Sequence, residues 1–205
     1  MSGILGLAYG AISIDKLPTF IDSATNLSEK TFSFVLKENP LESYMTLPGF
    51  DSELVGNEEF TFHNVIEEKY FSLKLDSISQ GSTKIETTGW KAVIDSGTSV
   101  IVGSSKIVDP LVKGIVVNDD CSGIEDLPNL TWTIDNIDYV MTPNDYVLMV
   151  EEGGQKECVL GVLSSAFPDS FTYFILGDNF MRKFYSYFDK VNNRVGFIER
   201  SKIGL

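Results

Sequence analysis

The sequence is poor in the side chains that carry metal and nucleophilic chemistry, since its 205 residues include one histidine and two cysteines. His63 lies in a strand-like run, and the chain has no Gly-x-Ser-x-Gly elbow, which argues against a Ser-His-Asp or Cys-His enzyme. We expect His63 at the surface or on an edge strand. The cysteines, Cys121 and Cys158, form no Cys/His cluster, so a zinc site is not expected. Considered alone, they fit two core thiols or a disulfide equally well.

Long apolar segments and basic runs are also missing. No segment stays apolar for the ~18 residues that a membrane-spanning helix needs. The chain has 16 basic and 29 acidic residues, a net charge of −13, and no run of Lys or Arg, so neither nucleic acid nor an anionic membrane is an expected partner. An acidic, solvated surface explains most of the charge, and a low working pH is a further interpretation. The apolar stretch GILGLAYGAISI has no basic residues before it, so we interpret it as core strand and turn, not as a signal peptide.

Most of the sequence consists of short strand-like runs rich in Val, Ile, Thr, Tyr and Phe, such as TFSFVL, LTWTIDNIDYVM and FYSYFD. Turn residues separate these runs at hairpin spacing, which predicts a mostly-β fold built largely from hairpins. Three short helices are expected, near KLPTFIDSA, KIVDPLVKGI and NFMRKF, and Pro110 predicts either a break in the second or a second helical start there with Asp109 as its N-cap.

The stretch VIDSGTSVIVG places an aspartate, Asp95, on a Ser-Gly-Thr turn directly after a buried strand. Gly97 permits a tight turn, and the hydroxyls of Ser96, Thr98 and Ser99 surround the carboxylate. Such a turn suits a carboxylate that must be held still for proton transfer. The alternative is an Asx turn, in which the aspartate only caps a loop.

Two further patterns bear on this aspartate. The tripeptide Ile-Leu-Gly occurs twice, at Ile4-Leu5-Gly6 and at Ile175-Leu176-Gly177, a match that could arise by chance. Hydrolysis by carboxylates takes two of them, one to accept a proton from water and one to donate to the substrate carbonyl. No second Asp-[Ser/Thr]-Gly occurs in the chain.

These segments together resemble the pepsin-like aspartic proteases, two-lobed β enzymes in which each lobe supplies one aspartate loop. SGILGLAYGAIS resembles the end of the family's N-terminal lobe, AVIDSGTSVIVG its second catalytic loop, and FILGDNFMRKFYSYFDKVNNRVGF its C-terminal signature. The resemblance implies a pepsin-like acid-protease fold, with residues 1–30 as a remnant of the N-terminal lobe. Residues 31–205 would form the complete C-terminal catalytic lobe, including its strands of the inter-lobe sheet.

The resemblance also implies roles for individual residues. Asp95 corresponds to the catalytic aspartate of the second lobe, Ser96 to the residue that braces the two loops, and Thr98 to the residue that hydrogen-bonds the carboxylate. Gly97 and Thr98 lie where the family binds the substrate backbone.

Three apolar residues fall where the family has subsite walls, and for them plain core packing is an equal alternative. They are Ile4, Val93 and Ile175.

The spacing of the motifs predicts where the partner aspartate belongs. In the family the apolar-apolar-Gly segment of each lobe packs beside that lobe's own aspartate loop, so the resemblance implies that Ile175-Leu176-Gly177 lies beside Asp95. Asp95 precedes Gly177 by 82 positions (177 − 95), so the aspartate that pairs with Gly6 in the same way is expected near position −76, upstream of this sequence. We therefore expect the first lobe, with its catalytic loop, to be a missing partner of this chain.

The family resemblance implies a disulfide between Cys121 and Cys158, and hence a secreted or a lysosomal or vacuolar protein in an acidic compartment. The triplets Asn26-Leu27-Ser28 and Asn129-Leu130-Thr131 are possible glycosylation sites in such a protein.

The resemblance implies an aspartic endopeptidase that cleaves peptides or proteins by activating water between two aspartates, without metal or cofactor. Two alternatives remain open at this point. One is a catalytically silent lobe that binds peptides or partners, and the other is a homodimer that brings two copies of Asp95 together.

Overall fold

The computed structural model describes residues 3–168 and 170–204 and is mostly β, as predicted. By its internal contacts the chain divides into two compact units. We call them the first unit (Met1–Leu73 with Phe184–Leu205) and the second unit (Lys74–Lys183).

The strands of the described chain, in order, are β1 (Thr31–Val35), β2 (Tyr44–Thr46), β3 (Thr61–Asn64), β4 (Glu67–Glu68), β5 (Phe71–Gln80), β6 (Thr83–Glu86), β7 (Lys91–Ile94), β8 (Ile101–Ser104), β9 (Leu130–Ile134), β10 (Ile137–Met141), β11 (Val147–Glu152), β12 (Gln155–Leu160), β13 (Val162–Ser165), β14 (Tyr173–Leu176), β15 (Phe184–Asp189) and β16 (Arg194–Glu199).

The α-helices are all short, as the sequence predicts: α1 (Phe20–Ser23), α2 (Ser52–Val55), α3 (Ser105–Leu111), α4 (Pro143–Tyr146) and α5 (Asp178–Lys183). Single 3-10 turns occur at Gly10–Ile12, Ile14–Lys16, Pro40–Glu42, Ile124–Asp126 and Arg200–Lys202. The break expected at Pro110 is seen as the end of α3 one residue later, at Leu111, because a proline in a helix has no N–H to donate four residues back and its ring crowds that carbonyl.

A five-stranded antiparallel sheet, in the order β2-β1-β15-β16-β3, forms the centre of the first unit. On one face the rings of Phe32 and Phe188 stack with their centroids 4.8 Å apart, and Phe71 meets Phe188 edge-on at 4.7 Å. The other face carries a second apolar cluster, formed by Val35, Val55, Tyr185, Ile198 and Ile203. Apolar side chains therefore cover both faces of this sheet.

The main sheet of the second unit has the order β10-β9-β5-β7-β14-β8-β13. Hairpins such as β9–β10 were predicted, but two of the pairs, β7 with β14 and β8 with β13, are parallel. The alternating pattern of a single strand does not reveal parallel pairing, since parallel pairs join segments far apart in sequence.

These parallel pairs place β14 between β7 and β8, the two strands that flank the Asp95 turn. Trp132 and Phe174, both fully buried, pack edge-on beneath this region with centroids 5.9 Å apart.

A disulfide joins Cys121 to Cys158, as the family resemblance implied. It ties the loop before the Ile124–Asp126 turn to β12, which pairs with β11 in a separate two-stranded sheet. The two cysteines are 37 residues apart in sequence, so the closed loop is expected to stabilise the fold by about 4 kcal/mol through the unfolded chain.

The segment from Gly3 to Leu17 contains the stretch GILGLAYGAISI, for which we expected core strand and turn; it forms 3-10 turns, but the expected strand is not there. Within the described chain no strand pairs with it, and an unpaired strand would leave its backbone groups unsatisfied. Ile4 and Ile14 are 89% and 84% exposed. By its contacts the segment belongs to the first unit. The assignment of residues 1–30 to one lobe and 31–205 to another stays a prediction.

Lys190 anchors this segment to the end of β15. Its ammonium group lies 2.8 Å from Asp22 Oδ1, donates to the carbonyl of Ala8 and sits 5.1 Å from the centre of the Tyr9 ring. The side chain of Lys190 is only 5% exposed. Burial tends to raise the pKa of Asp22, but hydrogen bonds from Lys190 and Thr19 outweigh it and lower that pKa.

We predict that Asp22→Asn lowers the free energy of unfolding by about 3 kcal/mol above pH 5 or so, because it leaves the buried Lys190 charge unpaired. Since the pKa of Asp22 is lowered in the folded state, its contribution is present above the unfolded pKa and disappears as pH falls through the folded one. Chemical denaturation at several pH values measures both effects. Asp15→Asn, at an exposed aspartate of the same segment, is the control, and equal losses in the two variants would contradict the anchor.

Candidate active site

Asp95 follows the last residue of β7, and its N–H continues the pairing with β14 by donating to the carbonyl of Leu176 at 3.1 Å. Donors hold both oxygens of the carboxylate. The N–H of Gly97 lies 2.9 Å from Oδ1, and the hydroxyl of Thr98 lies 2.6 Å from Oδ2. The carboxylate is half-buried and cannot rotate without losing one of these bonds.

The bond from Gly97 to Oδ1 is the hydrogen bond of an Asx turn, so the capping alternative describes part of the geometry. The hydrogen bond from the Thr98 hydroxyl is not part of an Asx turn, and it fixes the second oxygen, Oδ2. The role of Gly97 differs from the one we expected: its φ is not positive, but a Cβ there would lie 3.1 Å from Asp95 Oδ1 and would crowd the carboxylate. Ser96 and Ser99 are exposed, and the bracing role of Ser96 stays a prediction.

The second Ile-Leu-Gly explains why the turn keeps this shape. Because β14 lies between β7 and β8, the chain from Asp95 to Val100 must cross the end of β14, where Gly177 stands. A Cβ on Gly177 would overlap the carbonyl oxygens of Thr98 and Val100, so only glycine fits. The next residue, Asp178, donates its N–H to the Thr98 carbonyl at 2.8 Å.

The structure brings two of the three predicted subsite residues together. Val93 and Ile175 stand opposite each other in the parallel pair of β7 and β14, two residues before Asp95 and Gly177 respectively. Since side chains alternate along a strand, Val93 and Asp95 project from the same face of the sheet. Val93 is 6% exposed and Ile175 is half-buried. Ile4 belongs to the first unit and is not a core residue there, and its assignment to a subsite stays a prediction.

Asp178 is the residue that the sequence did not single out. Burial raises its pKa to about 6, the positive charge of Arg182 opposes this rise, and the negative charge of Asp95 adds to it. One signal was present in the sequence: Asp178 follows the second Ile-Leu-Gly, whereas apolar Leu7 follows the first.

The other sequence predictions concern metals, His63 and glycosylation. The structure groups no three His, Cys, Asp or Glu side chains as metal ligands within residues 3–168 and 170–204. His63 is on the edge strand β3, as expected, but its side chain is buried and lies 5.7 Å from the Phe197 ring. Asn26 and Asn129 are exposed, and their glycosylation stays a prediction. No helix among the described residues is long and apolar enough to cross a membrane.

The chain is similar to one family of known proteins. The profile of the eukaryotic aspartyl protease family matches residues 1–200. Cathepsin D from Chionodraco hamatus is 34% identical over 95% of this chain and 53% of its own length, and human cathepsin D is 30% identical over 98% and 52%. Pepsin-2B from Gadus morhua is 32% identical over 95% of this chain and 62% of its own length. The chain thus spans little more than half the length of these relatives.

The crossing of β14 by the Asp95 turn predicts unequal effects of one substitution in the two Ile-Leu-Gly copies. Gly177→Ala must displace backbone atoms and is expected to cost about 3 kcal/mol of unfolding free energy. Gly6→Ala is the matched control, because no atom lies within 4 Å of the Cβ it would add. Thermal and urea unfolding of both variants measures the difference, and similar stabilities would refute the close approach.

Proposed function

This chain belongs to the eukaryotic aspartyl protease family, and we propose that it supplies one of the two catalytic aspartates of an aspartic endopeptidase. The observation that carries this proposal is the Asp95 carboxylate, held through Oδ1 by Gly97 and through Oδ2 by Thr98 at the end of a buried strand. A hydrolase gains from such an arrangement because the reacting group is fixed before the substrate arrives.

The proposed chemistry is general acid and base catalysis by carboxyl groups. An ionised carboxylate draws a proton from a water molecule, which attacks the peptide carbonyl, while a protonated carboxyl hydrogen-bonds the carbonyl oxygen. In aspartic proteases two aspartates share one proton for these tasks. Asp95 is the residue of this chain to which we assign one of the two roles, and the hydroxyl of Thr98 keeps its outer oxygen in place.

The second carboxylate is part of the proposal. The sequence contains no further Asp-[Ser/Thr]-Gly, so we assign the partner aspartate to an N-terminal lobe that works together with this chain. The share of the relatives' length that the chain spans supports this assignment. A second copy of the chain could supply the aspartate instead, and a lobe without any partner would only bind peptides.

The substrate is proposed to be a peptide or an unfolded protein in extended form. Gly97 and Thr98 would contact its backbone, and Val93 and Ile175 would contact apolar side chains next to the cleaved bond. The shared face of β7 and β14 supports the last two assignments, because it continues directly into Asp95. Ile4 is kept as a third subsite residue on the basis of the family resemblance alone.

We further propose a secreted or a lysosomal or vacuolar location with an acidic working pH. The Cys121–Cys158 disulfide supports an oxidising route through the cell, since such bonds are rare in the cytosol. The exposed sequons at Asn26 and Asn129 are compatible with that route.

We predict that Asp95→Asn lowers the cleavage of an unfolded protein at acidic pH by at least about a hundredfold, because Asn can neither accept nor donate the proton. The rate is measured with and without a transition-state-analogue inhibitor of aspartic proteases. The 205-residue chain is assayed alone and as a longer protein that includes any upstream coding sequence. Asp126→Asn, at an exposed aspartate of the same unit, is the control.

The outcomes of this assay separate the alternatives. Cleavage by the longer protein alone supports the two-lobe enzyme, and cleavage by the 205-residue chain with second-order dependence on its concentration supports the homodimer. Peptide binding without cleavage in either form supports the silent lobe. Cleavage that survives Asp95→Asn would overturn the assignment of Asp95.

A further inference from the structure

Asp178 is linked to Asp95 through Thr98. The Thr98 carbonyl accepts the N–H of Asp178 at 2.8 Å, and the Thr98 hydroxyl donates to Asp95 Oδ2 at 2.6 Å. The first turn of α5 and the aspartate turn therefore share one residue. A change in the packing of α5 against this turn reaches the Asp95 carboxylate through a single threonine.

The side-chain carboxyl group of Asp178 lies in an environment that is unfavourable for a charged group. Its Oδ1 atom is buried and has no hydrogen-bond partner in the part of the chain that the structure describes. A neutral carboxyl tolerates such a position, but an ionised oxygen without a donor is costly. Burial accordingly raises the pKa of Asp178 to about 6.

The charges around Asp178 do not supply the missing partner. Arg182 on α5 lowers its pKa but less than burial raises it, and the negative charge of Asp95 adds to the rise. Helix α4 also packs on α5, and its Asp145 is paired with Lys183 at 2.7 Å. Two strands also contact α5: β8 carries no ionisable side chain, and the ionisable side chain of β14, Tyr173, lies at the end of that strand away from Asp178. Ionisation of Asp178 thus places two negative charges beside the same threonine.

We propose that Asp178 makes the placement of Asp95 depend on acidic pH: neutral, it packs against the aspartate turn, and ionised, it loosens the first turn of α5 from Thr98. Asp178 is a positioning residue, because it acts on Asp95 through Thr98 and is not assigned a contact with substrate. The consequence for catalysis rests on the proposed function, but the coupling itself does not. An endopeptidase built this way would lose its ordered turn as the pH rises towards neutrality.

The direct test is a titration of the Asp178 carboxyl carbon by NMR in the wild-type chain and in Asp95→Asn. We expect a midpoint near pH 6 in the wild type. In Asp95→Asn the midpoint moves to lower pH, because one of the neighbouring negative charges is gone. A wild-type midpoint near the ordinary value of about 4, or an unchanged midpoint in the variant, would overturn the proposal.

Thermal unfolding provides a second test. Because the pKa of Asp178 is raised in the folded state, its contribution to stability is greatest at low pH and is lost as pH rises from the unfolded value to about 6. Between pH ~4 and pH ~7 we expect the Tm of the wild type to fall by about 5 °C more than that of Asp178→Asn. Asp126→Asn is the control and should follow the wild type. Parallel changes in all three proteins would contradict the proposal.

Neither measurement needs substrate, so a chain that cleaves nothing still tests the coupling. If the longer protein cleaves its substrate, Asp178→Asn is expected to extend activity towards neutral pH, so that the upper limb of its pH profile lies at higher pH than that of the wild type. An unchanged upper limb of the pH profile would contradict the catalytic consequence while the titration decides the coupling.

Discussion

The position of β14 between β7 and β8 is the constraint on which the candidate site depends. It forces the six residues that join the flanking strands to cross the end of β14 at Gly177. At that crossing there is no room for a side chain, and the carbonyls of Thr98 and Val100 lie directly over the glycine. These backbone contacts with the sheet restrict the conformation of the turn. The positions of Gly97 and Thr98, which hold the carboxylate, are therefore set by the fold and not by the turn alone.

Thr98 connects this structural constraint to the Asp95 carboxylate. Its hydroxyl holds one oxygen of Asp95, while its carbonyl holds the N–H of Asp178. All of these groups belong to the second unit, so the loop is assembled within one compact part of the chain. In our proposal the second unit presents one finished aspartate loop, and activity additionally requires a partner carboxylate. The pH sensitivity that we infer for Asp178 would act on this finished loop.

Local patterns in the sequence predicted the mostly-β class, three of the short helices, the aspartate turn and, through the family resemblance, the Cys121–Cys158 bridge. Those local patterns could not reveal the threading of β14, since the contact between Gly177 and Thr98 joins residues far apart in sequence, but the family resemblance implied that Ile175-Leu176-Gly177 lies beside the Asp95 turn, as Gly177 does. The burial of Asp178 also depends on such distant contacts. In the sequence a single aspartate after a glycine looks like an ordinary helix start, so its burial was missed. The stretch GILGLAYGAISI shows the opposite error: its turn is present, but its apolar pattern also predicted a strand, and no strand of the described chain lies beside it as a partner.

The central claim is that the Asp95 turn is held in place within this chain, before any partner or substrate binds. Amide hydrogen exchange of the 205-residue chain at acidic pH tests it most directly, because the N–H groups of Asp95 and Asp178 donate to Leu176 and Thr98. We predict that both amides exchange at least about a thousandfold more slowly than in an unstructured peptide, as slowly as those of β14. Exchange of both at the unstructured rate, while β14 stays protected, would contradict the account.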